Sequence, residues 1–337
     1  MRVADGATKM GRKALMKTIA AFVVLIGASV LPATAQSTYP NQKPITIIVP
    51  FAAGSGTDTL ARILTTSMAE GDFKSATFVI DNRPGADGII GATAAARATP
   101  DGYTLFLTTN TTHSVNPYIH KTLSYDPNAD FVPIGLLGET APALLTSAAN
   151  PVATVKDVVE LVKQKPGDLN FAATNTSSLA STQMLEQRTG GKVVIVKYKA
   201  APQALTDTLT GTIQYFFGDL ASGGSLVRSE KLKALAVLSE RRLPGFDQVP
   251  TMAEAGYPGM EIPIWIGMFA PKGTPPEVVE RINRAVVAAQ GKQEFIDALA
   301  KGAVNVRTTT PAAFSKYVTD QFQMWGKLAK EINLEQE

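Results

Sequence analysis

The 337-residue sequence has no cysteine and only two histidines, His113 and His120. The first absence excludes disulfides, thiolate zinc sites, C-x-x-C redox motifs and a cysteine nucleophile. The second leaves little material for a histidine-rich metal site or a histidine-based triad. Recognisable catalytic signatures are missing as well: there is no G-x-S-x-G elbow, no H-E-x-x-H, no EF-hand loop and no GK[ST] phosphate loop. No apolar run beyond the first 35 residues is long enough for a membrane span of ~20 residues. What remains is an ordinary globular composition, 45% hydrophobic and 18% charged, which is neither disordered nor collagen-like.

Residues 1–35 read as a cleavable signal peptide. Arg2, Lys9, Arg12, Lys13 and Lys17 oppose a single acid, Asp5, and the apolar run Thr18–Leu31 follows. Ala33-Thr34-Ala35 then forms an A-x-A site, which places cleavage near Ala35-Gln36. Of 32 lysines and arginines five lie in this segment, as does one of 29 acids. The exported chain therefore keeps 27 basic and 28 acidic residues, a net charge of −1. That balance argues against a phosphate-tracking surface, so no nucleic-acid partner is expected. An exported, cysteine-free, soluble chain of about two domains points to a bacterial periplasm.

Short β-rich runs alternate with helical patterns. Ile45–Pro50, Thr77–Ile80, Thr104–Leu107, Asn170–Ala173, Val193–Val196, Ile213–Phe217 and Leu235–Leu238 read as strands. Leu60, Ile63, Leu64 and Met68 make one helical stripe, and Phe314, Val318, Phe322, Trp325, Ala329 and Ile332 a longer one. Thr154-x-x-Asp157 and Thr251-x-x-Glu254 have capping-box spacing. Thr274 before Pro275-Pro276-Glu277, and Thr310 before Pro311, read as helix N-caps. The expectation is an α/β chain of two domains with mainly parallel sheets. Two segments near Val132–Leu137 and Ile262–Phe269 would cross between them. That predicts a discontinuous first domain, 36–137 plus 265–337, an inserted second domain, 138–264, and a hinge beside a cleft.

Three strand-to-helix loops are candidates for binding. In Phe51-Ala52-Ala53-Gly54-Ser55-Gly56-Thr57-Asp58 small residues would let backbone N–H groups face an anion at a helix N-terminus. Gly54 and Gly56 would permit close approach and positive φ. Asp58 could instead occupy those N–H groups itself, or receive an ammonium. Thr174-Asn175-Thr176-Ser177-Ser178 repeats the pattern in the second half, with ordinary N-capping as the alternative. Thr108–His113, including Thr109 and Asn110, could hold a second polar end. Asp219, at the end of a strand, could take an amine or a water, or start a turn. Arg83, in a turn-rich loop, could be an anion ligand, but it, His113, and Trp265 with Phe269 are read as structural.

The chain resembles the substrate-binding proteins of tripartite tricarboxylate transporters, the TctC or Bug family. The resemblance runs from about Tyr39 to Ile332. It is carried by Val49-Pro50-Phe51, Ala53-Gly54-Ser55-Gly56-Thr57-Asp58, Asn82-Arg83-Pro84-Gly85 and Pro100-Asp101-Gly102-Tyr103. Further carriers are His113-x-Val115-Asn116-Pro117, Tyr198-Lys199, Val249-Pro250-Thr251 and Ala270-Pro271-x-Gly273-Thr274-Pro275. It implies a two-domain, Venus-flytrap periplasmic binding protein that closes on a small carboxylate. The implied ligand-binding residues are Phe51, Ala53, Gly54, Ser55, Gly56, Thr57, Asp58, Thr109, Asn110, Thr174, Asn175, Thr176, Ser177 and Asp219. Three departures stand out: Ser55 for a frequent glycine, a glycine-poor Thr174–Ser178 loop, and Lys197 where proline is common.

The expected function is capture of a carboxylate, as a monomer, for delivery to the membrane permease subunits of such a transporter. No catalytic residue, metal or cofactor is expected. Two alternatives stay open. One is a sensor that engages a membrane signalling partner. The other is a hydrolase on the same scaffold, using Ser55 or Ser177 with His113 as base.

Overall fold

A computed structural model describes residues 39–334 and residue 336. The expected signal peptide and its cleavage site, within residues 1–36, lie outside the described residues.

The first strand among the described residues must be central. Ile45, Ile47, Ile48 and Val49 are all buried, and a strand apolar on both faces is stable only when covered on both. This strand, β1 (Ile45–Val49), is followed by α1 (Gly56–Ala69), β2 (Phe78–Asn82), α2 (Ile89–Ala96) and β3 (Thr104–Thr109). β1 pairs in parallel with both β2 and β3, Ile47 lying opposite Ile80 and Leu105. A π-helical turn, Thr111–Val115, and the short α3 (Asn116–Ile119) lead to β4 (Phe131–Thr140).

After Ala141 alone, β5 (Pro142–Ser147) enters a second sheet. There the chain forms α4 (Val155–Gln164), β6 (Asn170–Ala173), α5 (Thr176–Thr189), β7 (Val194–Lys197) and α6 (Ala201–Thr210). It continues through β8 (Tyr215–Asp219), α7 (Leu220–Arg228) and β9 (Leu232–Val237). The chain returns to the first sheet through β10 (Ile264–Pro271). It then adds α8 (Pro276–Gln290), α9 (Gln293–Lys301), β11 (Asn305–Val306) and α10 (Pro311–Glu331).

The first sheet has the order β11-β4-β10-β3-β1-β2, the second β7-β6-β8-β5-β9. Both are mixed rather than mainly parallel. The crossing strands β4, β5 and β10 run against their neighbours, so they bring antiparallel ladders into each sheet. β10 carries Trp265 and Phe269 into an aromatic core with Phe106, Phe131 and Phe314, as core residues rather than pocket residues.

Helix starts follow the sequence signals with two exceptions. Thr154 and Asp157 form the reciprocal box of α4, and Thr310 caps α10 by accepting from Ala313 N–H. Thr251 and Glu254 make both expected bonds, but over a turn, not a helix. Thr274 is not a cap. Its hydroxyl donates to Pro271 O at 2.8 Å, and Pro275 stands at the N-cap of α8.

Candidate functional site

The loop between β1 and α1 is shaped by Asp58. This carboxylate is 2% exposed and accepts from Gly54 N–H at 2.9 Å and from Asn82 Nδ2 at 3.1 Å. It also accepts two bonds from Arg62, one turn along the helix, each at 3.1 Å. Burial pushes its pKa up, but the bonds from Arg62, Gly54 and Asn82 outweigh that and hold it below the ordinary value of 3.8. Asn82 also donates to Phe51 O at 3.0 Å, so the loop is tied to β2. Gly54 takes φ +83°, which a β-carbon would strain. Gly56, expected to need the same freedom, is instead the first residue of α1 and has no positive φ.

Ser55 caps α1, its hydroxyl accepting from Asp58 N–H at 3.2 Å. The N–H groups of Gly56 and Thr57 are then left without an acceptor among the described residues. These are the donors that the first turn of a helix cannot satisfy internally.

The loop between β6 and α5 repeats the arrangement without charge. Asn175 caps α5, accepting from Ser178 N–H at 2.9 Å. Ser178 Oγ in turn accepts from Thr174 N–H at 2.8 Å and Asn175 N–H at 3.1 Å. Again the first two helical amides, here of Thr176 and Ser177, have no acceptor among the described residues.

Both helix starts border one cavity of about 650 Å³. Phe51, Ser55, Thr57, Thr109 and Asn110 line it from the first sheet's side, and Thr174, Asn175, Thr176 and Ser177 from the second. The other residues expected there do not line it. Ala53, Gly54 and Gly56 are exposed parts of the first loop outside the cavity lining, and Asp58 is buried beneath it, holding Gly54 N–H. Asp219 ends β8 and caps α7, its carboxylate accepting from Ser222 N–H at 2.7 Å. Arg83 pairs with Asp81 at 2.8 Å and does not reach the cavity.

Asn110 is 1% exposed, stands on the cavity wall, and its Nδ2 has no acceptor. It stands at the N-cap of the π-helical turn, where Thr109 Oγ1 donates to Thr111 Oγ1 and, in a separate set, Thr112 Oγ1 bonds Thr108 Oγ1 and His113 Nδ1. His113 is fully buried, stacked on Phe269 with ring centroids 3.9 Å apart. Burial pushes its pKa down to about 3, so it is a neutral core group at physiological pH. It does not line the cavity, and neither Ser55 nor Ser177 has it as a base.

Sequence reasoning missed several wall residues. The Pro84–Gly88 loop lines the cavity through Pro84, Gly85, Asp87 and Gly88, although its turn-rich sequence favours a structural role. Gly88 has φ +84°, and a β-carbon there would lie 2.9 Å from Thr112 Cγ2. Lys197 and Tyr198 also line the cavity, as do the apolar Val115, Ile119 and Ile264. A turn signature locates a loop but carries no information about which cavity it faces.

Comparison with known proteins places this geometry in a context. Residues 60–334 match the model of the "Tripartite tricarboxylate transporter family receptor". Protein BugT of Bordetella pertussis is 31% identical over 325 residues, covering 96% of this chain and 98% of that protein. A solved structure from R. palustris, Rpa4515 with adipate, is 30% identical with a TM-score of 0.78, covering 89% of this chain and 100% of that one. MatC from Rhodopseudomonas palustris with bound malate is also 30% identical, with a TM-score of 0.72 over 85% of this chain and 99% of that one.

Proposed function

Since the chain belongs to the tripartite tricarboxylate transporter receptor family, we propose that it is an exported, non-catalytic receptor for a small carboxylate. It works in the periplasm as a monomer and delivers its ligand to the membrane permease of such a transporter. One observation carries the reading. Two helix starts, from two different sheets, border the same cavity, and each has first-turn N–H groups, those of Thr57 and of Thr176 and Ser177 on its wall, without an acceptor among the described residues. A carboxylate placed there exchanges its hydration for donors already fixed in position, aided by the positive ends of two helix dipoles. Each charge-assisted bond is worth about 1.5–3 kcal/mol. Asn110 Nδ2 supplies a further donor whose burial without a partner is costly until the ligand arrives.

The adipate and malate seen in the R. palustris relatives set the expected ligand size. The lobes are 36–137 with 265–337, and 138–264, hinged on the crossing strands. The ligand stabilises the closed arrangement to the extent that it binds that state better. The test is thermal unfolding with a panel of mono-, di- and tricarboxylates. A ligand present at 100 times its dissociation constant should add about 2.7 kcal/mol of stability. Asn110→Ala should lower the affinity about tenfold, about 1.4 kcal/mol, without lowering the stability of the unliganded protein. Absence of any shift across the panel would overturn the proposal.

A further inference from the structure

The cavity wall carries one cationic side chain among the described residues, Lys197. It is the last residue of β7, the edge strand of the second sheet, and lies in register with Ala173 at the carboxyl end of β6. Neighbouring strands lie about 4.8 Å apart, so Lys197 stands beside the loop that starts α5. The backbone there is fixed: Tyr198 N–H donates to Ala173 O at 2.8 Å, and Tyr198 Oη donates to Asp207 Oδ2 at 2.7 Å. The Lys197 ammonium, in contrast, has no hydrogen-bond or ion-pair partner among the described residues, and its residue is exposed.

No acid of the described residues forms an ion pair with it. Asp58 is held by Arg62 beneath the first loop. Asp87, on the wall with an exposed carboxylate, lies beside the His120 ring and not beside Lys197. A monocarboxylate seated on the helix starts therefore leaves Lys197 unused, whereas a ligand with a second carboxylate can reach both. A cavity of about 650 Å³ accommodates such a chain.

We propose that Lys197 is the second anchor of the cavity and makes this receptor selective for dicarboxylates over monocarboxylates of the same length, an inference that rests on the carboxylate reading above. The helix starts hold one end by directed N–H donors. Lys197 holds the other as a mobile point charge, which tolerates several chain lengths better than a guanidinium fork would.

The experiment is calorimetric titration of the full exported protein with matched pairs, succinate against butyrate and adipate against hexanoate. The wild type should bind at least one diacid about tenfold or more tighter than its monoacid. Lys197→Met should weaken that diacid about tenfold and leave the monoacid within about twofold. Lys197→Arg should keep most of the preference, and unfolding of each unliganded variant confirms that it folds. Equal loss for both members of a pair, or no loss for the diacid, overturns the role of Lys197. A wild type that binds monoacids as tightly as diacids overturns it too, while leaving the carboxylate reading intact. A wild type that binds none of the four overturns both.

Discussion

The two helix starts that meet at the cavity solve one problem with opposite electrostatics. Each leaves its first two amides free, and each uses the third helical residue to hold the loop amides behind them. In the first loop that residue is Asp58, buried and charged, balanced by Arg62 and bonded to Asn82 of β2. In the second it is Ser178, neutral, bonded only to Thr174 and Asn175. The first loop is thus braced against the sheet by tertiary contacts, while the second is a self-contained cap. The cost of the brace is a carboxylate within one turn of the unpaired amides, where it would oppose a negative ligand unless Arg62 compensates it. The second loop carries no acid, and Lys197 stands in register with Ala173 beside it.

The largest test of that contrast is Asp58→Ala. It strands Gly54 N–H and the Asn82 amide and removes the partner of Arg62, so denaturant unfolding should show a loss of about 3 kcal/mol. Ligand affinity should fall with it, because the loop loses its brace. Titration gives a second test on the same side of the molecule. The folded pKa of Asp58 lies below 3.8. Its contribution is therefore complete above the unfolded value and is lost as the pH falls through the folded one.

His113 acts over a milder range. Its folded pKa of about 3 lies below the ordinary 6.5, so between these values the unfolded chain binds the extra proton. Stability should be flat above pH 6.5 and fall toward pH 3 with a limiting slope of about 1.4 kcal/mol per unit. His113→Phe, which keeps an aromatic ring against Phe269 and Phe131, should remove that slope. If the slope persists in His113→Phe, the buried imidazole is not its source.

Intermediate in size is a charge swap. Ser178→Asp gives the second loop the acid of the first, but Thr182 occupies the position where Arg62 sits in α1. The new carboxylate has no cation to balance it, and carboxylate affinity should drop several-fold in calorimetry.

The loops were legible because a buried apolar strand followed by small and hydroxyl residues has few structural meanings. β6 occupies the expected Asn170–Ala173 for the same reason. β5 was not legible. Its residues are buried throughout, so no alternation marks it, and a single residue, Ala141, separates it from β4 without a turn signal. Asp219 shows another limit, since a carboxylate at a strand end suits a ligand and a helix cap equally. Here Ser222 N–H claims it. Lys197 was noticed as unusual, but its facing depends on edge-strand geometry that no local pattern encodes.

The smallest effect is expected from Ser178→Ala. Its hydroxyl, itself buried, serves Thr174 N–H, Asn175 N–H and Asn175 O, all within one turn. Asn175 still caps the helix when the hydroxyl is removed. Water can reach the freed amides of this half-exposed loop, so the loss should be about 1 kcal/mol in denaturant unfolding. That is a fraction of the loss at Asp58, although the two residues hold the same position in their helices. If Ser178→Ala and Asp58→Ala cost the same, bracing against β2 adds nothing, and the two loops are equivalent caps despite their difference in charge.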